Sequence, residues 1–404
     1  MILFWRLAFR NLMRHRGRFI LNLILLVSVF SVIVCFKGFK TNILETIQTL
    51  IVDTQFGHIQ IAKQSFWENS PVEQVTDKMI DNYGPLIEKI SKIHGVQFVS
   101  PRVSFYGLLN TEQRSVSAHF IAVQPEVETR MQQSLLFTEG KQFKQSKEAI
   151  LSIGLKSKLQ VKPNDDITLV SPNLSGGINA IDLKVSGIFS SGFSEIDTGT
   201  VYVTIQAAEK ILDSGAVDKL LIRLDDEKQS PQIVLKIREL LQGTDLKIKT
   251  WRELADLYSQ VENFYIFQNL FIEIIILLLV FLSVTNTVSM TVFERLSEIG
   301  TLRALGDYES HVQQLFLAES VLLGLISISF GIPVSMLLVK FDSSLEIPLV
   351  LPLASQPIQI RLLTNFEAYL EASLVCLVSV VVASLWPARK ASQISIVTAL
   401  GARV

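Results

Sequence analysis

Four runs, at 19–36, 270–292, 312–339 and 368–386, are each long and apolar enough for the roughly 20 helical residues that a bilayer crossing needs. No arrangement of this chain that leaves them in water is stable, so they dictate a membrane α-helical architecture. Between the first and second runs lies a long block of ordinary soluble composition, by far the largest hydrophilic part of the chain. The fold class that follows is four transmembrane helices plus a large extracytoplasmic α+β domain.

Orientation is read from basic residues beside the spans. Arg6, Arg10, Arg14, Arg16 and Arg18 precede the first with no acidic residue among them, and Arg389, Lys390 and Arg403 follow the last. Excess cationic charge stays on the cytoplasmic side, so both termini are expected there and the large domain outside; Lys37 and Lys40 dissent but are outnumbered. No small-residue cleavage site follows the first run, which reads as a retained anchor. The expected order is a cytoplasmic amphipathic helix at 1–18, spans at 19–37, 267–293, 312–340 and 367–386, an external domain at 38–266, a short charged cytoplasmic helix at 294–311, an external loop at 341–366 and a cytoplasmic helix at 387–404.

The external block has helical spacing at 40–52, 85–93, 206–211 and 232–241. Strands are expected at 57–61, 96–99, 105–109, 116–123, 149–152, 167–170, 182–189 and 200–204, with a hairpin loop at 110–114. Its strand-rich middle flanked by helices predicts two lobes. Both cysteines, Cys35 and Cys376, fall in spans, so the external domain needs its own core without a disulfide. His58, His94 and His119 are dispersed, without the ligand spacing of a metal site, and read as core or surface residues. Gly154-Leu155-Lys156-Ser157 mimics the end of a phosphate loop, but the upstream glycine is missing. With a formal net charge of −1, nothing points to nucleic acid.

The segment after the second run is Phe293-Glu294-Arg295-Leu296-Ser297-Glu298-Ile299-Gly300-Thr301-Leu302-Arg303-Ala304-Leu305-Gly306. Leu296, Ile299, Leu302 and Leu305 recur every three residues and read as one apolar face, while Glu294 and Glu298 stand together on another. Two like charges at this spacing repel, so water or a basic partner must meet them. Gly306 suits a left-handed helix stop and Asp307 a cap on the next helix. Within spans, Ser283, Thr285, Asn286, Thr287 and Ser289 imply packing against another helix or subunit. Glu319 needs either a partner, for which an amino-terminal arginine is available, or a route to the interface. Gly324, Ser327, Gly331 and Ser335 permit close helix approach, within the chain or between copies.

Four spans, one large external domain after the first, the Glu298-Ile299-Gly300-Thr301-Leu302-Arg303-Ala304-Leu305-Gly306 helix and the terminal Pro387-Ala388-Arg389-Lys390-Ala391-Ser392 together resemble the FtsX-like permeases, the group that contains MacB, LolC and LolE. The opening Leu7-Ala8-Phe9-Arg10-Asn11-Leu12-Met13-Arg14-His15 is similar to that family's amphipathic amino-terminal helix. Segments 57–61, 185–189 and 250–254 look like the lipoprotein-releasing branch. Ser395-Ile396 departs from the family's frequent Asp-Pro, and no ATPase domain is fused.

The resemblance implies an external domain of MacB periplasmic-core type and an inner-membrane, non-catalytic subunit that binds no cofactor or metal itself. ATP and Mg would be used by a separate cytoplasmic ABC ATPase dimer. Glu294, Arg295, Glu298, Gly300, Leu302, Arg303, Leu305 and Gly306 would form the ATPase-coupling helix, with ion pairs from Glu294, Glu298 and Arg303 and apolar anchors from Leu302 and Leu305. Pro387, Ala388, Arg389 and Lys390 would be the cytoplasmic carboxy-terminal motif. Further implied partners are a second permease copy or paralogue, a periplasmic carrier or adaptor, and membrane lipids. Lipoprotein or lipid extraction is the function favoured by the external similarity. Efflux of a hydrophobic compound or peptide, regulation of an envelope hydrolase and peptide sensing are the other readings the family offers.

Overall fold

The computed structural model describes residues 2–67, 75–128, 134–345, 348–349, 358–359 and 361–393. The chain divides into two compact units: 1–44 with 261–347 and 359–404, and 45–260 with 348–358.

The first unit is helical. α1 (Ile2–Arg14), α2 (Arg16–Ile51), α3 (Asp256–Glu294), α4 (Leu296–Ala304), α5 (Glu309–Leu345) and α6 (Phe366–Ser392) follow in chain order. Four of them, α2, α3, α5 and α6, are long and apolar enough to cross a membrane. Their shared core is built from Leu26, Phe30, Ile33 and Val34 of α2, Val280 and Val284 of α3, Leu323 of α5 and Ala372, Cys376, Val380 and Ala383 of α6.

Two features differ from the sequence expectation. α2 and α3 are single helices much longer than a span, and each continues from the helical unit into the other unit. The carboxy-terminal motif is not a separate helix either, because α6 runs unbroken through Pro387 to Ser392. Proline frees the carbonyl four residues back, and the Thr285 hydroxyl of α3 donates to that Ala383 carbonyl at 3.0 Å. A polar residue inside a span thereby satisfies a backbone group that lipid cannot. Residues 394–404, including Ser395 and Ile396, and much of the expected 341–366 loop lie outside the described residues.

The second unit is a mixed α+β domain with ten strands: β1 (Ile59–Lys63), β2 (Val96–Asn110), β3 (Ser115–Val123), β4 (Leu136–Gly140), β5 (Glu148–Ser152), β6 (Asp166–Pro172), β7 (Ile178–Ser190), β8 (Thr200–Thr204), β9 (Lys219–Leu224) and β10 (Leu246–Thr250). β10, β1, β9 and β2 form an antiparallel ladder. Strand β2 continues into β3, β8, β5 and β7, and β6 pairs with both β7 and β2, closing a ring of six strands. The ladder and the ring share β2 and one hydrophobic core, so the two expected lobes are fused. The runs 96–99 and 105–109 are likewise one strand. They are joined through Ser100, Pro101, Arg102 and Val103, where polar side chains interrupt the apolar pattern yet lie inside.

Candidate coupling site

The joint α3–α4–α5 is shaped by its backbone. α4 ends in a left-handed stop at Gly306 (φ +99°), where the Asp307 amide donates to the Leu302 carbonyl (3.1 Å) and the Gly306 amide to that of Arg303 (3.0 Å). This pairing satisfies the last carbonyls of the helix, and the positive φ is the reason glycine stands there. Asp307 then accepts from the Tyr308 amide at 3.0 Å and meets His311 Nδ1 at 2.7 Å, restraining the first turn of α5.

The apolar residues of α4 do not share one face. A three-residue step turns a helix by about 300°, so the stripe drifts about 60° per repeat and Leu305 points opposite Leu296. Ile299 is buried with Val292, Val312, Phe316, Ala388 and Ala391, and Gly300 is buried beside it. Leu302 and Leu305 are exposed, Leu305 by 81%, next to exposed Tyr308. The motif Pro387-Ala388-Arg389-Lys390 divides the same way. Pro387 and Ala388 face inward, while Arg389 and Lys390 are exposed, with Lys390 lying 5.3 Å from the Trp386 ring.

The acidic pair is met from within the chain. Arg18 holds Glu294 with both guanidinium nitrogens, at 2.8 and 2.5 Å, with His15 Nε2 at 3.4 Å. Arg14 donates to Glu298 at 2.7 Å, and Arg295 reaches the same carboxylate at 3.3 Å. Glu319 accepts from Arg295 at 2.9 Å and from Asn11 at 2.8 Å. The amino-terminal segment therefore gives Glu319 an amide, while the cation comes from the start of α4. Arg303 ties α4 to the end of α6 through the Ser392 carbonyl (2.9 Å) and to Glu309 of α5 (2.7 Å). The ion pairs expected to face outward are thus spent on clamping α1, α2, α5 and α6 around α4. Beside them a cavity of about 70 Å³ is lined by Asn11, His15, Asn22, Thr287, Glu319 and Ser320 among others. Its walls are mostly apolar, Leu12, Phe19, Val284 and Phe316 among them, and it is roomy enough for a few waters held by these polar groups.

The hydrogen bond from Arg14 holds the Glu298 carboxyl below the usual glutamate range. A depressed carboxylate stabilises the contact above its unfolded pKa and loses that contribution as pH falls through the folded one. As pH falls, amide exchange in α1 and α4, taken relative to its intrinsic rate, should therefore stay slow in the wild type until the Glu298 carboxyl takes up its proton. In Arg14→Gln its acceleration should begin at higher pH; identical profiles would remove Arg14 as the cause.

Gly324 and Gly331 are used inside the chain. A Cβ on Gly324 would meet Leu377 Cδ1 of α6 at 3.2 Å, and one on Gly331 would lie 2.6 Å from the Phe30 ring of α2. Ser327 is fully buried and donates to the Leu323 carbonyl at 2.7 Å. Asn286 by contrast is exposed on α3. Of the residues in the most apolar window of α3 only 11% are buried in the chain, against 28–39% for the other three candidate spans.

Comparison with known proteins places this arrangement of apolar helices and a clamped, glycine-stopped connecting helix beside membrane permeases. Residues 270–396 match the FtsX-like permease C-terminal domain, and the chain is similar to ABC transporter permeases of the LolC and MacB type. It is 26% identical over 229 residues to the lipoprotein-releasing system transmembrane protein LolC of Xylella fastidiosa, covering 54% of each chain. A probable export ATP-binding/permease protein of Pseudomonas fluorescens is 23% identical over 81% of this chain and 51% of its own length. The chain thus spans about half the length of these curated relatives. The periplasmic region of MacB from Actinobacillus actinomycetemcomitans superposes with a TM-score of 0.34 at 13% identity, over 52% of this chain and 95% of that one.

Proposed function

We propose that this chain is the membrane subunit of an ABC-type mechanical transmission, in which a separate cytoplasmic ATPase dimer docks on α4 and its ATP-driven closure moves the extracytoplasmic domain. The observation that carries this is the division of labour on α4. Glu298 and Arg303 tie α4 to α1, α5 and α6, and Glu294 at the end of α3 is held by α2, so α4 moves with its neighbours, while Leu302, Leu305 and Tyr308 stand exposed at its tip. Exposed apolar anchors on a rigid mount are what a docking partner seats upon. α2 and α3 continue from the helical unit into the other unit and are the physical links along which displacement travels.

In this reading both termini and α4 are cytoplasmic, the large domain lies outside the inner membrane, and ATP and Mg are handled by the partner. The thinly covered, Asn286-bearing face of α3 receives a second copy or a paralogue, because an asparagine facing lipid is costly. The cargo is lipoprotein or lipid taken from the membrane, a reading supported by the likeness to LolC.

Leu302→Asp with Leu305→Asp should leave the chain inserted and folded, since neither side chain is part of its core, and should cut co-purifying ATPase at least tenfold, roughly the loss of one strong anchor. Undiminished ATPase recovery would remove the assignment. Recovery of a bound lipoprotein with wild-type complex would support extraction, and an adaptor with an outer-membrane channel in its place would turn the reading to export.

A further inference from the structure

α1 carries three longitudinal stripes, set by the 100° step of a helix. Ala8 is buried, and Asn11 and Leu12 are half-buried, on the side turned to the other helices. Next around the helix come Trp5, Phe9 and Met13, all exposed. Beyond them come Arg6, Arg10 and Arg14, also exposed. An exposed aromatic stripe thus lies beside an exposed basic one. Arg14 is committed to Glu298, but Arg6, Arg10 and Arg16 make no ion pair among the described residues. Only His15 separates α1 from α2, the helix that contains the first candidate membrane span.

We infer that α1 docks on anionic lipid headgroups of the adjoining leaflet, with Trp5, Phe9 and Met13 in the acyl boundary and Arg6, Arg10 and Arg16 on the phosphates, and that it thereby holds α4. Charge complementarity and continuity with a membrane-crossing helix select a lipid surface as the occupant: apolar and basic residues on adjacent faces are how a helix lies in an interface. The hold on α4 runs through the end of the basic stripe and the inward side of the same segment, by Arg14 to Glu298, Arg18 to Glu294, and Asn11 to Glu319, which Arg295 shares. Anionic lipid that fixes α1 thus fixes the mount on which α4 sits. No ATPase is required for this, so it stands or falls independently of the docking reading above.

The test uses the full chain in nanodiscs of phosphatidylcholine alone or with about 30% phosphatidylglycerol, read by peptide-resolved amide exchange. The basis is that each basic residue near an anionic surface contributes about fivefold in binding. In the wild type, phosphatidylglycerol should slow exchange in both α1 and α4 by about fivefold or more. Arg6→Gln/Arg10→Gln/Arg16→Gln should abolish that difference while α6 and the ten-stranded domain exchange as in the wild type, showing the variant folded. Equal exchange in the two lipids, or a lipid effect that survives the triple substitution, would overturn lipid docking. Slowing confined to α1 would overturn the hold on α4.

Discussion

Arg102→Ala should destabilise the ten-stranded domain by about 3–5 kcal/mol, the cost of breaking a buried ion pair from one side. Arg102 is 1% exposed on β2. Its Nε and Nη2 bind both Glu128 oxygens, at 3.0 and 2.5 Å, while Nη1 donates to the carbonyls of Thr54 and Gln55 at 3.2 and 2.8 Å. Those carbonyls belong to the wide turn Val52–Phe56 that ends α2, where regular helical bonding stops and outside donors are needed. Tyr202 donates to the Thr54 carbonyl at 3.3 Å, and burial pushes its phenol up to about 12, so it keeps its proton at neutral pH. The alanine variant strands the Glu128 carboxylate and the Gln55 carbonyl in a dry interior. Arg102→Met with Glu128→Leu removes both charges and should be less damaging than Arg102→Ala alone, because no unpaired ion remains. Denaturant unfolding of the full chain with Trp5, Trp67 and Trp386 replaced by phenylalanine, followed by Trp251 fluorescence, measures both. A loss under 1 kcal/mol for Arg102→Ala would mean that water reaches the site.

The second large effect falls on the helical unit. Arg295→Ala removes the cation shared by Glu319 and Glu298, and with it the guanidinium 5.7 Å from the Phe316 ring. Glu319 is 8% exposed and would keep only Asn11, so the expected cost is again about 3–5 kcal/mol. Adding Glu319→Gln should restore much of it, since a neutral amide can remain beside Asn11 without an unpaired charge. The double variant should thus be more stable than the single losses summed, the signature of a direct interaction. Arg295→Lys should rescue only in part, because one ammonium lacks the fork that serves two carboxylates. Thermal unfolding in mild detergent, read by retention of monodisperse chain, gives the four values. Strict additivity would show that the two residues do not act as a pair.

What could be read locally was read well. The helix at 84–91, the hairpin turning at Thr111–Arg114 and the strand at 200–204 carry their signals in adjacent residues. β9 and β10 were missed although Leu220, Leu221 and Ile222 form an apolar run, because three such residues do not tell strand from helix or loop. Segment 153–159 was weighed only as a phosphate loop and is a short helix, with Leu155 and Leu159 in the core. β2 was split because Ser100 and Arg102 look like a surface break, and only the fold shows that a carboxylate at 128 waits for that arginine inside.

The four candidate spans, the helical joint at α4 and its glycine stop were settled by the sequence itself, since each depends on hydropathy, length or backbone freedom within a few turns. The pairing of charges was not. Arg14 meets Glu298 across 284 positions, Arg18 meets Glu294 across 276, and Asn11 meets Glu319 across 308. The identity of such partners depends on which helix faces lie together once the chain has packed. Tertiary structure alone therefore decided that Glu294, Glu298 and Glu319 clamp the joint around α4 in place and that Leu302, Leu305 and Tyr308 are what it presents outward.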